Sequence, residues 1–146
     1  IAFCFAVLIG AILWLWLYFT RPGMAMRAVS VSTEASGLVG INVPRMSALA
    51  FALGGAVTTM GGTLISTFIT LDASVGVIFT MKALIIIIMG GVGDIRGAIV
   101  AALILGLVET TVARLIDPGL TLASAYAIFV LVLLFRPQGL FGRKAT

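Results

Sequence analysis

The first 19 residues, Ile1 to Phe19, carry no charged side chain. At a rise of about 1.5 Å per residue, a helix of this length crosses a hydrocarbon core of roughly 30 Å. A cleaved signal peptide is the alternative, but the run lacks a basic beginning and carries Trp14, Trp16 and Tyr18 near its end, where membrane-interface aromatics lie. We therefore interpret it as a spanning helix. Because the chain begins with Ile, we expect a fragment that lacks its true N-terminus.

Four further apolar segments follow this run. The composition agrees with a membrane setting, since 62% of the residues are hydrophobic and only 10% are charged, against about 25% charged residues in soluble domains. One segment contains Lys82 and can instead be a short helix followed by a re-entrant half-span. We predict an all-α fold, a single polytopic transmembrane helix bundle, with membrane segments at about 1–19, 46–70, 74–89, 98–116 and 120–135.

The basic residues indicate how these segments cross the membrane, because short cytoplasmic loops retain Lys and Arg. If the polar loop at 20–45 is cytoplasmic, only Lys82 and Arg114 fall outside the inner side. The inner side then holds Arg21, Arg27, Arg45, Arg96, Arg136, Arg143 and Lys144. We expect a multi-pass protein of the cytoplasmic (inner) membrane with a cytoplasmic C-terminus. The net charge of +4 reports this topology and contact with the lipid bilayer, and we expect no nucleic-acid partner.

Several enzyme classes are excluded by residues that the sequence lacks. It has no histidine, and Cys4 is its one cysteine. Triads of the Ser-His-Asp type, Cys-His pairs and zinc sites built within this chain are therefore excluded. The sequence also lacks the G-x-x-x-x-G-K-[ST] pattern of a P-loop. We expect no cofactor, no metal and no catalytic residue, and ATP hydrolysis would have to come from another subunit.

One pattern points to an enzyme as a remote alternative. Gly91-Val92-Gly93-Asp94 resembles the G-x-G-D signature of intramembrane aspartyl proteases, in which two aspartates share a proton. The other candidate carboxylate is Asp72, which our topology assigns to the opposite side of the membrane. We therefore interpret the glycines as a tight turn with close backbone approach.

Glu109 is the most notable charge inside an apolar segment. An ionised carboxylate there costs about 2.5 kcal/mol or more unless it is paired or hydrated, and Arg114 lies on a different side of the same helix. Glu109 therefore needs a partner on another helix, a water-filled cavity or a proton. A structural hydrogen-bonding role and a role in the translocation path both stay open. The small residues Ala98, Ala102 and Gly106 predict a close-packed face on this helix.

A stripe of small and hydroxyl residues runs along the segment at 46–70. Its members are Gly55, Thr59, Thr63, Ser66 and Thr70, which share one helical face. Their hydroxyls can line a path for a polar solute, or they can bond to a neighbouring helix or to their own backbone carbonyls. Both interpretations, translocation path and helix packing, stay open.

The polar loop contains two stretches, 23–29 and 34–42, that indicate short helical turns ended by glycine. The loop resembles the cytoplasmic coupling segment of ABC-importer permeases, and its details are similar to the branched-chain amino acid type. The resemblance lies in Thr20, Arg21, Gly23, Ala25, Met26, Arg27, Ala28 and Val29, then Ala35, Leu38, Gly40, Ile41 and Asn42. Similar stretches follow at 50–54, 90–98, 105–109 and 136–142.

This resemblance implies a multi-subunit importer. Two permease subunits would work with cytoplasmic ATP-binding subunits and with an extracytoplasmic substrate-binding protein that delivers a small-molecule substrate. The loop at 20–45 would seat a short helix in a groove of the ATPase. Residues implied in this coupling are Ala28, Val31, Ala35, Leu38, Gly40 and Ile41, and we add the hypothesis that Arg27 and Glu34 orient the docking by charge.

The resemblance leaves the solute open among branched-chain amino acids and related small polar solutes. Two other classes remain as alternatives, a secondary transporter or channel subunit that needs no ATPase and a purely structural membrane subunit. Secondary transporters place charged residues near the membrane midplane, and Glu109 is the candidate for that role.

Overall fold

A computed structural model describes residues 1–142 of the chain, and all regular structure within that range is helical. The elements are α1 (Ala2–Phe19), α2 (Arg21–Val31), α3 (Thr33–Leu38), α4 (Val43–Phe68), α5 (Val75–Gly90), α6 (Ile95–Leu115), a 3₁₀ turn (Pro118–Leu120) and α7 (Thr121–Phe135). Four stretches are long and apolar enough to cross a membrane: α1, α4, α6 and the run Pro118–Phe135. Helix α5 is apolar but shorter, with 16 residues. The predicted all-α, polytopic helical fold is confirmed.

The chain divides into two compact units, Ile1–Leu71 and a second unit that begins at Asp72. In the first unit, the segment that we predicted as a polar loop is largely helical. Thr20, in extended conformation, is the single residue between α1 and α2, and Pro22 lies in the first turn of α2, where its missing N–H costs nothing. The Ser32 hydroxyl then accepts a hydrogen bond of 3.3 Å from the backbone N–H of Ala35 and caps α3.

Helix α3 ends in a glycine-dependent turn. Gly40 has φ +89°, its N–H donates to the Gly37 carbonyl at 3.2 Å, and the Ile41 N–H donates to the Ser36 carbonyl at 3.1 Å. This pair of bonds is the Schellman motif, which needs a residue in the left-handed region. The prediction of a helical turn ended by glycine is therefore confirmed for α3. It is wrong for α2, which ends at the extended Ser32 because that residue caps the next helix.

Helix α4 begins at Val43, three residues before the predicted segment at 46–70. The Asn42 side chain accepts a hydrogen bond of 3.3 Å from the Arg45 N–H, and Pro44 occupies the first turn, so cap and proline together set the start. The helix ends at Phe68. Thr70 lies beyond that end, and the prediction that it continues the helical hydroxyl stripe is wrong for this residue.

In the second unit, α5 and α6 are joined by a turn rich in glycine. Gly91 and Gly93 have φ of +95° and +92°, and a Cβ on Gly97 would collide with the Gly90 carbonyl oxygen. The helices thus meet backbone to backbone where one ends and the other begins, as the interpretation of a tight turn with close approach predicted. Asp94 caps α6, because its carboxylate accepts a hydrogen bond of 3.1 Å from the Arg96 N–H.

The core of the second unit lies where α5, α6 and α7 meet. It is formed by Ile85, Met89, Ala101, Leu105 and Ala125. The buried face of α6 is therefore Gly97, Ala101 and Leu105, spaced four apart. Our predicted face was Ala98, Ala102 and Gly106, of which Ala102 and Gly106 are exposed in this chain. The predicted close-packed face is therefore wrong for Ala102 and Gly106, because the close contact of Gly97 with Gly90 turns the neighbouring face, one residue earlier, toward α5.

The segment after α7 returns to the end of α5. The Leu140 N–H donates to the Met89 carbonyl at 2.8 Å, and a Cβ on Gly139 would lie 2.6 Å from the Gly91 nitrogen. Gly139 has φ +83°, so both its conformation and its space require glycine. Arg143 and Lys144, which we used for the topology, lie outside the described residues.

Candidate coupling surface and membrane ion pair

Helices α2 and α3 expose several apolar side chains at their surface. Val31, Leu38 and Val39 are 70%, 89% and 80% exposed. Ala28, Ala35 and Gly40 are exposed as well, and Ile41 is half-buried. Large side chains exposed to this degree beside one another are typical of a surface that meets another protein or the lipid bilayer.

A shallow groove of about 430 Å³ separates the two short helices. It is lined by Ala28, Val31, Ser32, Ala35, Ser36, Val39 and Ile41. Four of the residues implied in coupling therefore share one groove, whereas Leu38 and Gly40 lie outside its lining. Ser36 closes the floor, since it is buried and its hydroxyl donates to the Ser32 carbonyl at 2.8 Å.

The two charged residues of the predicted loop differ in their surroundings. Glu34 is exposed in the first turn of α3, where a carboxylate also favours the helix dipole. Arg27 instead places its guanidinium carbon 4.0 Å from the centroid of the Tyr18 ring, a cation–π contact to α1. The sequence pattern predicted Tyr18 only as an aromatic residue at the membrane interface and did not predict this contact. The aromatic residues at the end of α1 were the feature that could have indicated a partner for Arg27.

The hydroxyls of α4 bond within their own helix. Thr59 donates to the Gly55 carbonyl at 2.7 Å, Thr63 to the Thr59 carbonyl at 2.6 Å and Ser66 to the Thr63 carbonyl at 2.8 Å. The sequence left open whether these hydroxyls bond to a neighbouring helix or to their own helix, and in the structure they donate to backbone carbonyls of α4 itself. Thr63 also lines a cleft of about 640 Å³ between α1 and α4, whose other lining residues, Thr67 apart, are apolar.

An ion pair joins the two charges that sit within α5 and α6. Lys82 Nζ lies 3.0 Å from Glu109 Oε2, and the side chains are 23% and 17% exposed. Glu109 thus finds its partner on another helix, one of the three solutions that its position required. The second carboxylate oxygen, Oε1, is buried and has no hydrogen-bond partner among residues 1–142. The sequence pattern did not predict this pair, although the opposite signs of two isolated charges in apolar segments, Lys82 and Glu109, were the signal that could have indicated it.

The geometry of the two aspartates argues against a protease. Asp72 precedes α5 and Asp94 follows it, so the carboxylates are separated by a helix of 16 residues, or about 24 Å at 1.5 Å per residue. Asp72 accepts a hydrogen bond from the Ala73 N–H at 2.8 Å, and Asp94 caps α6. Two carboxylates at this separation cannot share a proton. Within the described range, no cluster of three or more His, Cys, Asp or Glu side chains is arranged to hold a metal.

Comparison with known proteins gives the family. The family described as branched-chain amino acid transport system / permease component matches residues 1–135. The chain belongs to this family. The resemblance inferred from the loop and the glycine turn is therefore confirmed, and a member of this family with several apolar helices is a multi-pass protein of the inner membrane.

Curated members of the permease family align with nearly the whole chain. The high-affinity branched-chain amino acid transport system permease protein LivH of Escherichia coli K12 is 33% identical over 130 residues, 88% of this chain and 42% of the relative. LivH of Salmonella typhimurium gives the same figures. BraD of Pseudomonas aeruginosa, a permease protein of the same description, is 32% identical over 140 residues, 95% of this chain and 45% of the relative. The chain thus spans less than half the length of these relatives, and no solved structure matches it significantly.

Proposed function

We propose that this chain forms part of the permease subunit of an ATP-driven importer, and that α2 and α3 are the surface to which a cytoplasmic ATPase binds. The observation that carries the proposal is the exposed apolar surface formed by Val31, Leu38 and Val39 beside the groove between the two helices. In the proposed contact, the short helices of this chain dock in a groove of the ATPase, and these exposed apolar side chains are the anchors.

The remaining partners follow from family membership. We propose a second permease subunit, cytoplasmic ATP-binding subunits and an extracytoplasmic substrate-binding protein. The proposed substrates are branched-chain amino acids or related small polar solutes, in line with the names of LivH and BraD. The chain itself is assigned transport and no catalytic step.

The basic residues support an orientation with α2, α3 and the C-terminus in the cytoplasm. Cys4 is exposed and is the one cysteine of residues 1–146. Single cysteines are therefore introduced into the longer parent protein after Cys4, together with any cysteine outside residues 1–146, has been replaced by serine. In intact cells, a cysteine at Ser30 should resist a membrane-impermeant maleimide, and it should react after the membrane is opened. Reaction in intact cells would reverse the orientation.

The coupling surface is tested by one polar substitution on the longer parent protein with its importer partners. Leu38→Asp places a charge on a side chain that is 89% exposed, so folding is little affected. We expect the amount of ATPase that co-purifies to fall by about tenfold, because a desolvated carboxylate costs at least 1.4 kcal/mol in the interface. ATP-dependent leucine uptake in proteoliposomes should fall with it.

The matched control is Val92→Asp, at an 83% exposed side chain in the turn between α5 and α6, which the same charge distribution assigns to the cytoplasm. It should leave co-purification and uptake unchanged. Normal ATPase binding by Leu38→Asp would overturn the coupling surface. Uptake that needs no ATP would instead favour a secondary transporter or channel, whose midplane charge would be Glu109.

A further inference from the structure

One face of α2 rests directly on the end of α1. Gly23, Met26 and Arg27 share this face, because they are spaced by three and four residues. Gly23 is buried, Met26 is 8% exposed, and Arg27 stacks on Tyr18. The face is therefore a packed contact within the first unit.

Gly23 is required here for space. A Cβ at this position would lie 2.5 Å from the carbonyl oxygen of Leu17 and 2.6 Å from its Cα. Both are backbone atoms, which cannot rotate away as a side chain would, and Leu17 is itself buried. The backbones of α1 and α2 consequently touch, and any larger residue must push the two helices apart.

Arg27 adds a second contact one turn further along α2. Its guanidinium lies over Tyr18, whose ring is 5.0 Å from the ring of Trp14 on α1. Arg27 thus extends an aromatic stack of α1. The connection between the helices is also tight, since Thr20 alone separates them and both its hydroxyl and its N–H bond to the Trp16 carbonyl.

A neighbouring face of α2 is exposed. Met24, Ala28 and Val31 are spaced by four and three residues and are all exposed, and Ala28 and Val31 line the groove of the proposed coupling surface. Helix α2 is thus packed on α1 through one face, also contacts α4, and presents the adjacent exposed face to a partner. We propose that Gly23 and Arg27 are positioning residues that fix α2 to α1 as one rigid piece, so that displacement of the coupling surface moves α1. This inference rests on the proposed function and changes the role expected for Arg27, from contact with the ATPase to contact with Tyr18.

The first test compares Gly23→Ala with Gly106→Ala in the reconstituted importer. Gly106 lies in α6, outside the proposed coupling surface, and a Cβ there would meet nothing within 4 Å. For Gly23→Ala we expect normal co-purification of the ATPase and ATP hydrolysis close to that of the unmodified importer. Leucine transported per ATP should fall by about tenfold, within the range typical of coupling between sites. Gly106→Ala should leave the ratio unchanged.

The second test separates a positioning role of Arg27 from direct contact with the ATPase, and it does not depend on the folding of Gly23→Ala. Arg27→Gln and Tyr18→Leu should lower the amount of leucine transported per ATP to a similar extent. The double variant should be no worse than either single variant, because both remove the same contact. Tyr18→Phe should transport normally, because it keeps the aromatic ring. Loss of ATPase binding with Arg27→Gln but not with Tyr18→Leu would overturn the inference. An unchanged ratio of leucine to ATP in Gly23→Ala would also overturn the inference. Uptake by the unmodified importer that needs no ATP would instead refute the proposed function itself.

Discussion

Lys82 on α5 and Glu109 on α6 meet as an ion pair 3.0 Å long, within two apolar helices of a membrane protein. Each charge alone would cost about 2.5–3.5 kcal/mol near the centre of a spanning helix. Together they form a neutral pair that ties the short helix α5 to the longer α6. The Oε1 atom of Glu109 is buried and has no hydrogen-bond partner among residues 1–142, so the ion pair leaves one carboxylate oxygen unsatisfied. The stability that the pair contributes therefore depends on both side chains being present.

Removing one member of this pair should be worse than removing both. We expect Lys82→Met and Glu109→Leu each to lower thermal stability in detergent and the amount of inserted protein, because a lone charge remains in an apolar setting. The double variant should recover most of both. Thr110→Val is the control, since that exposed hydroxyl donates to the Gly106 carbonyl of its own helix.

The same double variant distinguishes the two roles left open for Glu109. If the carboxylate serves helix packing, the apolar pair inserts and transports leucine at close to the normal rate, which is the outcome we expect. Normal insertion with uptake abolished would assign Glu109 to the translocation path.

Gly97 should tolerate no side chain. In Gly97→Ala the new methyl group meets the Gly90 carbonyl oxygen, and overpacking of this kind costs about 1–3 kcal/mol. Gly106→Ala lies on the same helix with open space around it, so alanine there should be neutral or should stabilise the helix by up to about 1 kcal/mol. Thermal unfolding followed by circular dichroism would compare them. Equal midpoints would contradict the close backbone contact.

Asp94 should be replaceable by asparagine. Its carboxylate accepts the Arg96 N–H as a helix cap, and an asparagine oxygen can do the same. We expect Asp94→Asn to keep stability and uptake, and Asp94→Ala to lose about 0.5–2 kcal/mol of stability. An aspartate that catalyses proteolysis cannot be replaced by asparagine, because the amide cannot act as an acid or a base. Proteolytic activity that is present in the parent and absent from Asp94→Asn would therefore favour the protease alternative.

Gly40 should matter through its backbone. Alanine at φ +89° pays about 1–2 kcal/mol for the left-handed conformation, and the Schellman bonds that orient Ile41 toward the groove weaken. We expect Gly40→Ala to reduce the amount of bound ATPase in a pull-down from membranes. Gly93→Ala also replaces a glycine in the left-handed region, at φ +92°, but in the turn between α5 and α6, and it should bind the ATPase as the parent does.

Features that depend on a single stretch of chain were predictable. The apolar lengths of α1 and α4, the capping and glycine signals around α3, and the glycine turn between α5 and α6 all follow from neighbouring residues, because helix formation and termination are local events. The family was predictable for the same reason, since its motifs are short and ordered. The position of Thr70 was not predictable in this way, because the end of a periodic pattern does not determine the last helical residue, and α4 ends at Phe68.

Features that join distant stretches were decided by tertiary packing. Lys82 and Glu109 are 27 positions apart, and only the crossing of α5 with α6 brings them together. The same crossing selects Gly97, Ala101 and Leu105 as the packed face, although the adjacent face of Ala98, Ala102 and Gly106 carries only small residues. A helical period identifies which residues share a face, but several faces of α6 carry small side chains. The one that packs is chosen by where two backbones can approach most closely, and that depends on both helices at once.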